Sequence, residues 1–451
     1  MTLEQEILAE IKPTREEVEE TFRIAESLLR RLAEEARQEG IPAKPLLVGS
    51  VAKGTFLKEP EIDAFVAFPP ETSREDLERW GLRLGHVLDN PTLRYAEHPY
   101  TRGVYQGLET DVVPCYELDR PSARMTAVDR TPFHFEYVRE HMSGPMKDEV
   151  RLLKRFLKGT GTYGAEARVQ GFSGYLSELL ILQFKAFRSV LEAAARWRPP
   201  IRLDLESETP KPFAEPLIFV DPVDADRNAA SAVSSHALAT FILAAKAYEE
   251  RPDRRFFFAD PVRPLSLTAL RKVARERGTA LLGIASSAPD LSEDVVYPQL
   301  RKAEQAIRSF LTEGEFRVLR SQPSLLEKEW LLLLELESGE LPPVRKHVGP
   351  PTWLDHAEAF RAKWEGSSKR VAGPYIEGDR LVVDVRREET KAASVLRKGL
   401  RGLSLGKNLD RTVKEGAHVM EGEEIARSAY RGPLTEFLRR DLPWEIRKSP
   451  R

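Results

Sequence analysis

Cysteine is almost absent from this sequence: Cys115 stands alone among 451 residues. One thiol cannot form an intrachain disulfide, and a cysteine-based zinc site needs several, so disulfide-stapled secreted folds and zinc fingers are excluded. A reducing, cytoplasmic setting is expected. Long apolar runs are missing as well. Those present, such as Leu331 to Leu334, fall far short of the ~20 residues that cross a bilayer. The N-terminus opens on acids (Glu4, Glu6, Glu10) and not on the basic and then apolar pattern of an export signal. No membrane partner is expected. Net charge is nearly absent, with 69 Lys plus Arg against 71 Asp plus Glu and a formal charge of −2. That balance excludes a histone-like coat of positive charge, so any nucleic-acid binding requires locally segregated cations. Internal repeats and low-complexity tracts are lacking too. What remains is a globular chain, 41% hydrophobic, whose length suits two to four domains at roughly 100–200 residues each.

Apolar residues recur at helical spacing from Thr14 to Glu39 (Val18, Phe22, Ala25, Leu28, Leu29, Leu32), and Gly40 with Pro42 ends the run. Lys44 to Val48 reads as a strand, followed by Gly49-Ser50 and a short helical piece to Lys58. Ile62 to Phe68 reads as a strand and Ser73 to Leu88 as a capped helix. Arg94 to Glu97, Arg102 to Tyr105 and Thr110 to Val113 read as short strands between Pro and Gly. The first ~130 residues therefore predict a mixed sheet flanked by helices. After Pro145 the pattern turns helical over Lys147 to Lys158, Ser173 to Trp197 and Ser234 to Glu250. Beyond Pro261, strands at Ala280 to Ala285, Phe316 to Leu319, Trp330 to Leu336 and Leu381 to Val385 interleave with helices at Leu267 to Arg277 and Tyr297 to Thr312. That β-α-β-β rhythm predicts a ferredoxin-like sheet with an insertion around Leu341 to Gly373.

Three pieces of the first segment belong together chemically. Gly49-Ser50 sits at a strand-to-helix turn, where glycine lets the backbone approach a phosphate and free N–H groups and a hydroxyl can bind it. Glu61-Ile62-Asp63 begins an apolar strand, so its two carboxylates project from one face. Asp111 opens Asp111-Val112-Val113, a neighbouring strand that can present a third. Carboxylates gathered in one site repel and raise each other's pKa, and a pair of Mg²⁺ ions supplies the missing charge. Gly-Ser, an intervening stretch, an acid-hydrophobe-acid strand and a later Asp on an apolar strand are together similar to the polymerase-β-like nucleotidyltransferase superfamily.

A closer likeness runs through Val48-Gly49-Ser50-Val51-Ala52-Lys53-Gly54-Thr55-Phe56-Leu57-Lys58, Arg94-Tyr95-Ala96-Glu97-His98-Pro99-Tyr100, Asp111-Val112-Val113-Pro114-Cys115-Tyr116 and Ala127-Val128-Asp129-Arg130-Thr131-Pro132-Phe133-His134. Glu149-Val150-Arg151-Leu152-Leu153-Lys154, Tyr163-Gly164-Ala165-Glu166, Gly171-Phe172-Ser173-Gly174-Tyr175-Leu176 and Asp221-Pro222-Val223-Asp224 with Arg227-Asn228 continue it. These segments resemble the archaeal-type (class I) CCA-adding enzymes, tRNA nucleotidyltransferases. The match is dense over residues ~45 to 230 and patchy beyond.

The resemblance implies an α+β multidomain fold. A polymerase-β-like catalytic head would span 1–142 and a helical neck that recognises the base 143–256. An α+β, ferredoxin-like body with an inserted tail, binding the tRNA acceptor arm, would span 257–451. Glu61, Asp63 and Asp111 become metal ligands for Mg²⁺. Gly49, Ser50, Lys53, His134, Lys154, Tyr163 and Arg227 become nucleotide contacts, for ATP and CTP alike. Lys53 departs from the arginine often found there, and a lysine contacts phosphate as a point charge without the bidentate fork. On spacing alone several of these have plain structural roles: Arg151, Lys154, Arg155 and Lys158 as a solvated helix face, His134 as a core histidine, Arg227 as a partner of Asp224.

The implied activity is untemplated addition of C, C and A to the 3′ end of tRNA from CTP and ATP with release of pyrophosphate, extending to tandem CCA on unstable tRNAs, by a homodimer. The core signature is shared with poly(A) polymerases and oligoadenylate synthetases. A non-catalytic RNA-binding protein on this fold is the other alternative. The retained carboxylates count against the latter, and Arg-Thr-Pro-Phe-His with Asp-Pro-Val-Asp counts against the former. Arg345-Lys346-His347, Lys391, Arg397-Lys398, Arg401 and Lys407 are cations available to an RNA backbone, and each is also an ordinary surface residue.

Overall fold

The computed structural model describes residues 1–95, 98–123, 125–206, 211–426 and 428–445. Two units divide the chain: Met1–Pro261 with the segment beginning at Leu442, and the residues from Val262 to Asp441.

In the first unit, α1 (Leu3–Ile11) and α2 (Arg15–Glu39) each begin with a capping box, Thr2 with Gln5 and Thr14 with Glu17. Gly40, at φ 68°, ends α2 as the sequence predicts. A five-stranded sheet follows, built from β1 (Lys44–Val48), β2 (Ile62–Phe68), β3 (Asp89–Tyr95), β4 (Pro99–Tyr105) and β5 (Leu108–Tyr116). Its order is β1-β2-β5-β4-β3. Only the β2–β5 pair is parallel. α3 (Gly49–Lys53) joins β1 to β2, and α4 (Arg74–Gly85), capped by Ser73, joins β2 to β3. α3 is shorter than expected because Gly54, at φ 70°, closes it after one turn. The expected strand Arg94 to Glu97 overlaps β3 only in part, and Ala96 and Glu97 lie outside the described residues.

Strand alternation sorts the two faces of the sheet. Ile62, Ala64, Val66 and Phe68 pack with Leu28 and Leu32 of α2 and Leu77 and Leu84 of α4. Phe65 and Ala67 pack with Val48, Val113 and Cys115 in a smaller cluster. The period of two puts Asp63 and Asp111 on the second side, away from α2 and α4.

Five helices complete this unit: α5 (Thr131–His141), α6 (Gly144–Gly159), α7 (Gly174–Phe184), α8 (Phe187–Arg196) and α9 (Ser235–Glu250). They enclose Phe156, whose ring has Phe187, Phe241, Tyr248, Phe256 and Phe257 at centroid distances from 5.5 to 6.3 Å. Ile7 and Ile11 of α1 are buried in the same core. The single helix expected from Ser173 to Trp197 is two, because Lys185 takes the left-handed conformation at φ 71°. Three strands lie between the expected helices, in a stretch where the sequence pattern predicts no element: β6 (Ile201–Leu203), β7 (Leu217–Asp221) and β8 (Asp224–Asn228). β7 is buried throughout, and the short apolar run Leu217 to Val220 carries no period to tell strand from helix.

The second unit contains α10 (Leu267–Arg277), β9 (Ala280–Ser287), α11 (Glu293–Glu313), β10 (Val318–Leu325) and β11 (Glu329–Leu336). β12 (Val344–Pro351), α12 (Ala357–Glu365), β13 (Arg370–Glu377) and β14 (Arg380–Arg386) come next, followed by α13 (Ala392–Gly399), α14 (Lys407–Gly416), β15 (His418–Glu421) and α15 (Arg431–Arg439). Its main sheet runs β10-β11-β9-β15, antiparallel throughout, which is the ferredoxin-like order. The fourth strand is β15 and not the expected Leu381 to Val385. That segment lies in β14, at the centre of a separate β12-β14-β13 sheet. The insertion is therefore longer than the sequence suggested, because β14 pairs with both other strands of the inserted segment. Among the described residues no helix is long and apolar enough to cross a membrane.

Candidate active site

β1 and β2 pair so that Val48 lies opposite Asp63, which places the next residue, Gly49, against the Asp63 side chain. Gly49 has φ +70°, and a Cβ built there would stand 1.7 Å from Asp63 Oδ2. Both the backbone conformation and the space therefore require glycine. The five-residue α3 is too short for a developed helix dipole, so the phosphate-binding capacity expected of this turn reduces to its backbone N–H groups and the Ser50 hydroxyl.

Asp63 on β2 is directly opposite Asp111 on the parallel strand β5, and Glu61 lies two residues before Asp63. Burial raises the Asp63 pKa to about 7, with further contributions from Asp111 and then Glu61. Such a trio calls for a cation, and its all-oxygen donors suit a hard divalent metal ion. Among the described residues no group of three His, Cys, Asp or Glu side chains is already arranged as a metal cage. Arg102 supplies the counter-charge. On β4 it lies opposite Asp111 and donates through Nε and an Nη to the two carboxylate oxygens at 2.6 and 2.7 Å. It also stands 3.6 Å from Glu61.

Lys53, at the end of α3, donates to Glu178 of α7 at 2.6 Å, and Thr55 donates to the other Glu178 oxygen at 2.7 Å. Lys154 of α6 lies 3.7 Å from Glu178 and donates to the Thr55 hydroxyl at 3.2 Å. Burial lowers the Lys154 pKa to about 8 against the opposing pull of Glu178. Burial alone would raise the Glu178 pKa, but Lys53 and Lys154 outweigh it and hold the carboxyl below its ordinary range. Two ammonium groups thus share one carboxylate, which leaves this wall net positive.

A second network centres on Asp221, at the end of β7. His134 Nε2 lies 2.9 Å from its Oδ2, Arg227 donates to the same oxygen at 2.6 Å, and the Tyr175 hydroxyl donates to Oδ1 at 3.0 Å. Burial opposes ionisation of Asp221, yet His134 and Arg227 hold its pKa at about 2. Burial lowers the His134 pKa, offset in part by the bond to Asp221. The His134 and Tyr175 rings stack at 3.9 Å between centroids. The Tyr163 hydroxyl would stand 3.2 Å from a Cβ on Gly174, so that glycine makes room for the ring.

One cleft of about 470 Å³ gathers Gly49, Ser50, Lys53, Glu61, Asp63, Asp111, His134, Lys154 and Tyr163. Arg227 is not among its lining residues and connects to it through Asp221 and His134. Sequence reasoning missed Arg102, Thr55, Tyr175 and Glu178, and it gave Asp221 no role. A signal existed for two of them. Gln106-Gly107, both at positive φ, forms a two-residue hairpin turn, and counting back from Tyr105 opposite Leu108 brings Arg102 opposite Asp111. Glu178 is a lone acid in the apolar run Leu176 to Leu182, where burial demands a partner. Among the C-terminal cations, Arg345, Lys346, Arg397 and Lys398 pair with Glu315, Glu377, Glu421 and Glu389.

Family comparisons fit this geometry. Residues 29–134 match the nucleotidyltransferase domain, 148–258 the second domain of tRNA nucleotidyltransferase, and 277–422 the C-terminal domain of the CCA-adding enzyme. The CCA-adding enzyme of Methanosarcina acetivorans is 39% identical over 93% of this chain and 94% of its own. The chain belongs to the CCA-adding enzyme family. It is a nucleotidyltransferase. The family's Haloarcula marismortui member is 37% identical over 93% of this chain and 94% of its own, and the Thermoplasma acidophilum member 37% over 91% and 93%. Among solved structures, the Cid1 poly (U) polymerase with Mg and 3′-dATP bound aligns with 55% of this chain and 94% of its own at 14% identity and a TM-score of 0.43, too distant to bear on the chemistry here.

Proposed function

We propose that this cleft adds C, C and A, in that order, to the 3′ end of tRNA, using CTP and ATP and releasing pyrophosphate, with no nucleic-acid template. The observation that carries this reading is the pairing of Asp63 with Asp111 beside the Gly49-Ser50 turn, in a chain of the CCA-adding family. Glu61, Asp63 and Asp111 would hold Mg²⁺, which when bound activates an attacking hydroxyl and offsets charge on a leaving pyrophosphate. Ser50 donates to the triphosphate. Lys53 and Lys154 attract it electrostatically through the surplus charge around Glu178, although both ammonium groups are buried. Tyr163 forms a wall of the nucleotide site.

Base selection falls to His134 and Arg227, held by Asp221. Their orientation is constrained before a nucleotide arrives, so an incoming base that sets donor against donor loses about 1–3 kcal/mol per unmade bond. Residues 1–142 act as the catalytic head, 143–256 as the base-recognising neck, and 257–451 as the body and tail that take the acceptor arm. The working form is a cytoplasmic homodimer that also adds tandem CCA to unstable tRNAs.

Labelled CTP and ATP offered separately and together to tRNA ending before, within and after CCA test the reaction. Addition of C and C followed by a single A is expected. Incorporation of A alone, or of a long homopolymer, overturns the proposal.

A further inference from the structure

Asp63, Asp111 and Arg102 occupy one rung across three adjacent strands, β2, β5 and β4. Glu61 approaches the same guanidinium at 3.6 Å. Arg102 forks onto both oxygens of Asp111, and its side chain is 34% exposed against 13% for Asp111, so the arginine reaches solvent beside a carboxylate that lines the cleft. A bidentate arginine fork is among the stronger charge-assisted contacts. It uses the oxygens that a metal bound between Asp63 and Asp111 needs.

We infer that Arg102 is the resident counter-cation of the carboxylate trio, which offsets part of the site's negative charge in the free enzyme and must yield Asp111 when a divalent metal binds. This rests on the reading of Glu61, Asp63 and Asp111 as metal ligands. Without it the three acids would face one another with only Lys53 as a nearby cation, and the guanidinium reduces that cost. The same contact makes free metal compete with a fork already in place, so metal without nucleotide binds weakly. Metal arriving on a triphosphate gains the phosphate contacts as well and displaces the fork more readily. Arg102 is therefore a positioning residue that ties metal entry to nucleotide entry.

Binding of Mn²⁺ without nucleotide, followed by electron paramagnetic resonance of the free ion, tests this on wild type, Arg102→Gln, Arg102→Lys and Asp111→Asn. Arg102→Gln is expected to bind Mn²⁺ roughly tenfold more tightly than wild type, because the competing charge is gone. Arg102→Lys, which keeps the charge without the fork, is expected to fall between them. Melting in EDTA supplies a second readout: Arg102→Gln melts below wild type without metal and gains more on adding Mn²⁺. Equal or weaker Mn²⁺ binding by both Arg102 variants, while Asp111→Asn loses it, overturns the role of Arg102. Wild-type Mn²⁺ binding by Asp111→Asn overturns the ligand assignment beneath it.

Discussion

Glu178 and Lys53 are 125 residues apart in sequence, yet the lysine ammonium meets the carboxylate at 2.6 Å with both side chains buried. The contact joins the end of α3, beside the Gly49-Ser50 turn, to the buried helix α7. Removing one member of a buried pair leaves the other charge uncompensated, which costs about 3–5 kcal/mol. Here two lysines would be left, since Lys154 shares the same carboxylate. Glu178→Gln is expected to destabilise the protein by that order in urea titration. Adding Lys154→Met should recover part of the loss, because one of the stranded charges goes with it. Additive losses in the double variant would mean that the two lysines do not depend on one carboxylate.

Gly49→Ala tests the close approach of the Gly49-Ser50 turn to Asp63. The added Cβ meets Asp63 Oδ2 at 1.7 Å while the backbone keeps φ +70°, so either the carboxylate moves or the turn does. The left-handed conformation alone costs about 1–2 kcal/mol. Misplacing this proposed metal ligand by about an ångström is expected to lower kcat by about a hundredfold. Single-turnover kinetics with CTP check the rate, and circular dichroism checks that the fold persists. A variant with wild-type kcat would show that Asp63 tolerates displacement.

How far the site can be seen in the sequence depends on how local each relationship is. Glu61 and Asp63 share a face because a strand has a period of two, and Ile62 to Phe68 forms the strand its pattern predicts. Gly49-Ser50 is a neighbour pair at a turn and needs nothing distant. The network around Asp221 joins α5, α7, β7 and β8, and no spacing rule links His134 to an aspartate 87 residues away. The likeness to a family supplied His134 and Arg227 without the carboxylate that holds them both. The second unit shows the same limit. Its β-α-β-β rhythm is legible, but the sheet that β14 joins is not, because a strand's pattern does not name its partner. The break at Lys185 had no glycine or proline to announce it.

Asp221 holds two residues of the proposed base-selecting face, so its loss should affect discrimination before it affects chemistry. In Asp221→Asn the single amide oxygen cannot satisfy His134, Arg227 and Tyr175 together, all of which now converge on the carboxylate. KM for CTP and ATP is expected to rise about tenfold with a smaller change in kcat, the mark of lost binding common to ground and transition states. Misincorporation of UTP and GTP should rise relative to CTP and ATP. Competition assays with all four nucleotides measure this. An unchanged ratio would remove Asp221 from selection and leave it a structural role.

Acid stability of the second unit should depend on Glu335. Its carboxylate, fully buried on β11, accepts from Arg277 at 2.5 Å, from Thr279 and from Arg320. Burial works against the charge, yet these donors bring its pKa from 4.5 down to about 2. A carboxyl group that holds its proton less tightly when folded stabilises the fold at pH values above its unfolded pKa. That contribution is complete above about 4.5 and lost as pH falls through about 2. Glu335→Gln keeps the size of the side chain and removes its ionisation. Urea titrations of both proteins should therefore show wild type clearly more stable at neutral pH, with the gap narrowing below about pH 4.5 and closing near pH 2. A gap that stays constant down to pH 2 would mean that the Glu335 charge contributes nothing and that its packing accounts for the whole difference.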